Sequence, residues 1–192
     1  MRFSDIRGGE DLKRAFRTMV DTGRVPHAIM LEENDGGGAV MMAQAFLQYL
    51  FCRGERVGGD ACGQCPQCNK VAKMINPDIH YVFPVNTGTS LQFASKWRSL
   101  ALDNPCFTES EFRDALGMEG KSPFIKTEEV NSLLETLSLC SLQGGYRATV
   151  IYLPELFYPI AANKMLKMIE EPPQKTVFIL ITHNPQAVLS TI

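Results

Sequence analysis

Four cysteines lie close together in the segment FCRGERVGGDACGQCPQCNK. They are Cys52, Cys62, Cys65 and Cys68, and their spacing is C-x9-C-x2-C-x2-C. One C-x2-C pair brings two thiolates to a single tetrahedral ion, the overlapping pair adds a third, and Cys52 can supply the fourth. Four thiolates fill the coordination shell of zinc and leave no position for a substrate. We therefore predict a closed, structural zinc site within a module that spans residues 52–70.

Two other uses of these cysteines stay open, a disulfide pair and a redox C-x-x-C site. A redox site needs two cysteines and gains nothing from four, which favours zinc. The N-terminal residues lack the apolar stretch of a signal peptide, so the clustered thiols indicate a reducing cytoplasm. Cys106 and Cys140 are isolated, and we predict that each is a small buried side chain.

The composition is that of a globular protein without a dominant charge. The chain has 192 residues, is 45% hydrophobic and carries a formal net charge of −2. The net charge gives no indication of nucleic-acid binding. No apolar run approaches the roughly 20 residues of a membrane span. Near the cysteines, Arg53, Arg56 and Lys70 are balanced by Glu55 and Asp60. We expect a structural or partner-contacting module, with a zinc-dependent nucleic-acid-binding module as the alternative.

Apolar runs alternate with amphipathic segments along the chain. The runs HAIML, DIHYVFPV, RATVIYL and TVFILI predict strands that are buried on both faces. Strands that alternate with helices predict an α/β fold with a parallel sheet covered on both sides. The segment of about 87–122 contains two helix candidates, around Trp97 and Phe112, and we interpret it as an insertion. Trp97 is expected to be a packing anchor rather than a base-stacking residue.

Few other polar residues have a readable chemical role. No carboxylate or nucleophile partner stands at a recognisable spacing from His27, His80 or His183, so we expect structural or solvent-facing histidines. Glu170 and Glu171 close a helix before Pro172-Pro173, which predicts a solvated helix end rather than an acid–base pair.

Four stretches carry a resemblance to a known family. The block AANKMLKMIEEPPQKTVFILITHNPQAVLSTI resembles the AAA+ subunits of bacterial DNA polymerase III clamp loaders, as do FSDIRGGEDLKRAF, GRVPHAIML and GGYRATVIYL. The resemblance covers residues 3–83 and 124–192. It implies one AAA+ P-loop domain over 1–192, with the zinc module inserted and 87–122 as a lineage-specific insert. The helical lid, the collar and an arginine that acts on a neighbour's ATP would follow Ile192, so we expect a longer protein.

The resemblance places a phosphate loop at residues 32–39, which read EENDGGGA. A working loop is G-x-x-x-x-G-K-[ST], in which Lys neutralises phosphate and Ser or Thr binds Mg²⁺. Gly36 and Gly37 retain the glycine-rich character, but Gly38 stands at the Lys position and Ala39 at the Ser/Thr position. Three acidic residues in the loop would also repel a triphosphate. We expect that ATP does not bind.

The second acidic motif of the family is also missing. Its Asp-Glu pair corresponds to Tyr152 and Leu153, which cannot hold Mg²⁺ or polarise water. Glu155 could replace the pair only by a shift in register. Thr182, near the position that senses the terminal phosphate, is expected to be a turn residue. No residue of the chain is therefore predicted to be catalytic.

The chain keeps the overall sequence pattern of the family but has a degenerate phosphate loop. In this it resembles the family members that do not bind nucleotide. The implied function is that of a non-catalytic clamp-loader subunit that helps place the sliding clamp on primed DNA. The implied partners are the gamma or tau ATPase and the delta subunit, with the clamp contacted indirectly and DNA through the assembled complex. The alternative is an active gamma- or tau-type ATPase whose phosphate loop lies in another register.

Overall fold

A single parallel sheet forms the centre of the molecule. The computed structural model describes residues 1–118, 120, 122–138 and 145–191. Within these residues the strands are β1 (Ala28–Glu32), β2 (Ile79–Val82), β3 (Arg147–Tyr152) and β4 (Thr176–Thr182). Their order across the sheet is β1-β4-β3-β2, and every neighbouring pair is parallel. All four strands predicted from apolar runs are confirmed. The prediction that each is buried on both faces is wrong for β1, where Met30 is 40% exposed because this strand lies at an edge of the sheet.

Helices cover both faces of the sheet, as predicted. They are α1 (Glu10–Asp21), α2 (Ala39–Phe51), α3 (Pro66–Ala72), α4 (Ala94–Asp103), α5 (Glu109–Leu116), α6 (Thr127–Ser138), α7 (Pro159–Glu170) and α8 (Pro185–Thr191). The first five contribute to the core on one face, and the last three to the core on the other. The fold is therefore an α/β layer structure with helices on both sides of a parallel sheet.

Successive side chains of β4 enter different cores. Val177, Ile179 and Ile181 belong to the core beneath α1 to α5, whereas Phe178 and Leu180 belong to the core beneath α6 to α8. This is the two-residue alternation of a strand. Because both sides are apolar, the strand is stable only between two helical layers.

The helix α2 lies in the interior of the molecule. All of its residues except Met41 are buried. An amphipathic helix exposes its polar face to solvent. A helix such as α2, which is buried on all sides, must also be covered by other elements on the face that points away from the sheet. The sheet lies on one side of α2, and α1 and α3 pack against it elsewhere. Its C-terminus leads directly into the first cysteine of the predicted zinc module.

The segment 87–122 packs onto the sheet rather than projecting from it. It contributes a 3₁₀ turn (Ser90–Phe93), α4 and α5. Trp97 is 1% exposed, and its ring stacks on Phe83 with 4.7 Å between ring centroids. Edge-on contacts to Phe107 and Phe112 complete an aromatic cluster. The expectation that Trp97 is a packing anchor is confirmed, while the origin of this segment as an insertion stays a prediction.

The prediction for Cys106 is wrong. Its side chain is exposed, in the turn that joins α4 to α5. A turn between two short helices offers little cover to its own residues, so a small apolar side chain there remains accessible. Cys140 lies outside the described residues. Among the helices described, none combines the length and apolarity that crossing a bilayer requires.

Candidate metal centre and phosphate loop

The four predicted cysteines meet at one point. Their Sγ atoms all lie within 4.8 Å of one another, and those of Cys62 and Cys68 are 3.8 Å apart. Sulfurs that bind one tetrahedral zinc at about 2.3 Å are separated by about 3.8 Å. All four thiols are free, and none forms a disulfide with another. The cluster can therefore hold one metal ion.

Short local elements bring the cysteines together. Cys52 caps the C-terminus of α2, Cys65 caps the N-terminus of α3, and Cys68 lies in the first turn of α3 behind Pro66. Proline suits the first helical position, because its fixed φ matches the helix and it has no N–H to satisfy. Cys62 precedes this turn, so the C-x2-C-x2-C segment wraps around one point.

Backbone N–H groups point at the sulfurs. The N–H groups of Cys62, Cys65 and Cys68 donate to the Sγ atoms of Cys52, Cys62 and Cys65, respectively, each at 3.4 Å. Burial alone would raise the pKa of Cys65, but N–H bonds from Cys68 and Arg53 outweigh it and lower the pKa to about 6. Backbone N–H bonds from Gln64 and Cys65 also lower the pKa of Cys62. At these two residues such bonds favour thiolates, the form that binds metal, whereas burial raises the pKa of Cys68.

Two charged residues of the module, Arg56 and Asp60, contact the rest of the domain, whereas Arg53 and Glu55 are exposed. Arg56 lies over the ring of Tyr49, 4.6 Å from its centroid, and also donates to the Tyr49 carbonyl. Asp60 is 7% exposed and accepts the N–H groups of Phe3 and Ser4, which ties the N-terminus to the module. These contacts hold the module against the domain.

The phosphate loop joins β1 to α2, at the position expected for a P-loop. Gly38 caps the N-terminus of α2 with φ of +84°, a left-handed conformation that favours glycine. The N-terminal N–H groups of such a helix attract anions. Here the anion is internal, because Oε2 of Glu33 accepts the N–H of Ala39 at 2.7 Å.

The turn between α4 and α5 covers this loop. Asp35 Oδ1 accepts the N–H of Glu109, the first residue of α5, at 2.6 Å. A methyl group added at Gly36 would lie 3.3 Å from the carbonyl oxygen of Cys106, and one added at Gly38 would lie 3.2 Å from the sulfur of that cysteine. Gly36 and Gly38 therefore allow the turn at Cys106 to pack closely against the loop.

His183 lies between the loop and this turn. Its Nε2 is 3.8 Å from Glu33 Oε1, and its Nδ1 is 4.0 Å from Glu109 Oε2. These are ion-pair distances rather than hydrogen bonds. The Glu33 carboxylate raises the pKa of His183, with burial opposing it and Asp35 and Glu155 adding to it. His183 is therefore structural, as expected, and its carboxylate partners come from segments that are distant in the sequence.

The residues at the position of the acidic motif are buried, and the nearby Glu155 is hydrogen-bonded within the protein. Tyr152 and Leu153 are buried, and Leu153 adopts φ of +54° at the end of β3. Both oxygens of Glu155 are engaged, one by the Thr182 hydroxyl at 2.9 Å and one by the N–H of His183 at 3.0 Å. Thr182 Oγ1 in turn accepts the N–H of Asn184, which is the turn role expected for it.

The other polar residues singled out from the sequence have structural surroundings. His27 is exposed, and His80 is half-buried with a pKa lowered by burial. Glu170 and Glu171 are exposed at the end of α7, as expected. Sequence reasoning missed the capping role of Glu33 and its contact with His183, since nothing in the spacing of these residues links them.

These features define a class of protein: a P-loop-type α/β domain with a four-cysteine module and a phosphate loop that contacts its own carboxylates. The chain belongs to the family described as DNA polymerase III, delta subunit, whose model matches residues 8–192.

Individual relatives agree with this membership. The DNA polymerase III delta-prime subunit of Yersinia pestis is 30% identical, over 94% of this chain and 44% of that protein. That of Bacillus subtilis is 25% identical, over 90% and 41%. The tau subunit of Escherichia coli is 22% identical, over 99% of this chain and 24% of that protein. The chain thus spans less than half the length of these relatives.

One solved structure is also similar. It is a gamma subunit-related protein of DNA polymerase III from Thermotoga maritima, with a TM-score of 0.47 and 14% sequence identity. The match covers 95% of this chain and 43% of that chain.

Proposed function

We propose that this chain is the N-terminal domain of a delta-prime-type clamp-loader subunit that binds no nucleotide itself. It would help place the sliding clamp on primed DNA as a rigid member of the assembly. One observation carries this proposal: the phosphate loop is occupied by the protein's own Glu33 and covered by the turn before α5. Family membership supplies the replication context.

Two physical effects oppose nucleotide binding at this loop. An incoming phosphate would compete with Glu33 for the N–H of Ala39 and would meet the negative charges of Glu33, Asp35 and Glu109. No lysine stands at Gly38 to compensate for them. This chain is similar to tau in sequence. We nevertheless expect that its loop, without the lysine, does not bind ATP as an active ATPase subunit would.

The experiment is a calorimetric titration of the purified chain with ATP and Mg²⁺. We expect no binding heat up to about 1 mM nucleotide, the range of the weakest specific sites. Binding with a Kd near 1 µM would instead support the alternative, a gamma- or tau-type ATPase, and would defeat this proposal. Circular dichroism of the same sample confirms that the chain is folded.

We further propose that the four-cysteine cluster binds structural zinc. The donor set, the sulfur separations and the N–H bonds to sulfur suit Zn²⁺, which four thiolates saturate. Cys52, Cys62, Cys65 and Cys68 would hold the ion and tie α2 to α3. Such a thiolate site needs the reducing cytoplasm expected from the sequence. Metal analysis of purified protein should find one zinc per chain.

The proposed partners are other clamp-loader subunits, namely the gamma or tau ATPase and delta. This chain should co-elute with those subunits from the same source in size-exclusion chromatography. The competing zinc-dependent nucleic-acid-binding module predicts affinity of the chain alone for primed DNA, falling steeply with salt. We expect no such affinity, because Glu55 and Asp60 balance most of the positive charge of Arg53, Arg56 and Lys70 in the module.

A further inference from the structure

A cavity of about 410 Å³ opens beside β2, at the edge of the sheet. It lies at the opposite edge of the sheet from β1 and the phosphate loop, and residues of α4 and α6 form its other walls. Its walls are largely apolar and include Ile75, Ile79, Leu91, Ala94 and Leu133. The volume falls within the range of small-ligand pockets in proteins.

Neutral groups account for most of the polar lining. Ser90 Oγ lies 2.6 Å from Glu129 Oε1 and 3.0 Å from the Tyr81 carbonyl, but one hydroxyl proton cannot serve both acceptors. A protonated Glu129 satisfies both, because it donates to Ser90 while Ser90 donates to Tyr81. Burial raises the pKa of Glu129, in agreement with this arrangement, and it lowers that of His80, which also lines the cavity.

Two lining residues have unsatisfied donors. The indole Nε1 of Trp97 and the Nε of Arg98 are buried, and neither has a hydrogen-bond acceptor within the described part of the chain. Arg98 also forms no ion pair with any described carboxylate. Buried donors without partners cost about 1–3 kcal/mol each, so such groups usually face a ligand or water.

We propose that this cavity binds an organic carboxylate with an apolar body, placing the carboxylate at Arg98 and the body among Ile79, Leu91 and Leu133. A guanidinium recognises a carboxylate through charge-assisted hydrogen bonds. The apolar walls accept a phenyl or branched aliphatic group. Leu91 and Ile75 are 76% and 49% exposed, so the apolar surface continues outside the mouth. This site is independent of the proposed role of the chain in clamp loading.

Either a free small acid or the C-terminal residue of a peptide can offer this chemistry. Four probes separate these sources: 3-phenylpropionate, its amide, the peptide acetyl-Gly-Gly-Phe and that peptide's C-terminal amide. Trp97 is the single tryptophan of the chain and lines the cavity, so its fluorescence reports occupancy. Stronger binding of the peptide acid identifies a peptide terminus, and stronger binding of the small acid identifies a free metabolite.

We expect at least one acid to bind with a Kd of about 1 mM or tighter, and each amide at least about tenfold more weakly. Arg98→Met keeps the side-chain volume and should lower affinity for the acid by about tenfold or more. Lys73→Met removes an exposed cation that does not line the cavity, and it should leave affinity unchanged.

A second variant guards against a folding defect in Arg98→Met. Ser132 is exposed at the cavity wall, and Ser132→Phe should block binding while circular dichroism and thermal unfolding stay those of the wild type. Equal binding of acid and amide, equal binding by wild type and Arg98→Met when both are folded, or no fluorescence change with either acid at about 10 mM would each overturn the proposal.

Discussion

At the phosphate loop, a single carboxylate makes two contacts. Glu33 Oε2 accepts the N–H of Ala39 at the start of α2, and Oε1 lies 3.8 Å from His183 Nε2. An acid at a helix N-terminus compensates its partial positive charge, the same charge that a phosphate would use. The absence of a lysine at Gly38 and the carboxylate of Glu33 both make the loop more negative, and both therefore oppose nucleotide binding.

Glu33→Ala should destabilise the domain by about 1 kcal/mol, because an N-terminal N–H of α2 loses its acceptor. The measurement is urea unfolding followed by circular dichroism. Glu33→Gln is the matched control, since it keeps an oxygen acceptor and removes the charge, and it should lose less. If both variants unfold with the wild-type midpoint, the contact between Glu33 and α2 contributes no stability.

His183 should make stability depend on pH. Its pKa is raised in the folded state, so its contribution is complete below the unfolded value of about 6.5 and disappears as pH rises through the folded value. We expect wild type to exceed His183→Gln by about 1 kcal/mol or less near pH 6, a difference that shrinks by pH 9. Paired urea titrations at both pH values measure it. A constant difference would mean that the histidine acts through packing alone.

Among the elements, the four-cysteine module has little regular secondary structure. Between α2 and α3 the chain forms a tight turn with Gly58 and Gly59 in left-handed conformations, but no regular strand or helix. With so little regular structure in this segment, the proposed metal ion would add stability by linking α2 to α3. The position of Gly54, directly beside the sulfur of Cys62, shows how closely the chain must pack there.

Gly54→Ala should weaken metal binding. A methyl group would lie 2.6 Å from Cys62 Sγ, so the sulfur or the backbone must move. We expect zinc affinity, measured by competition with a chromogenic chelator, to fall by about tenfold or more. Gly23→Ala is a control with open space around its Cα, although its positive φ adds backbone strain. Unchanged affinity in Gly54→Ala would contradict the metal geometry.

For the whole molecule, the sheet and the zinc module are joined through α2 and through Asp60. The core on the side of α6 to α8 contains none of the four cysteines, whereas Cys52 and Cys68 belong to the core on the other face of the sheet. Asp60 also accepts N–H groups from Phe3 and Ser4, so the N-terminus depends on the module. The effect of metal removal should therefore be graded across the molecule.

Chelation should lower the melting temperature by several degrees and increase hydrogen exchange in residues 52–70 first, then in residues 3–6. The strands β3 and β4 should stay protected, because they are buried between two helical layers. Hydrogen exchange with and without chelator gives this order. Uniform loss of protection would show that the metal supports the entire fold, and no loss anywhere would exclude a structural ion.

The sequence alone determined the alternation of strands and helices, the two-sided burial of β3 and β4 and the four-cysteine cluster. These follow from patterns local to a few residues: apolar runs, prolines and C-x2-C spacing. It also identified the residues missing from the phosphate loop. Such features need no knowledge of which distant segments meet.

Only the tertiary structure decided what fills that loop. Glu33 reaches Ala39 across a six-residue turn, His183 comes from the end of β4, and Glu109 comes from a segment whose role could not be read from sequence. The exposure of Cys106 has the same origin. These contacts depend on how the turn between α4 and α5 lies on the sheet, and that placement results from packing of the whole core rather than from any local pattern.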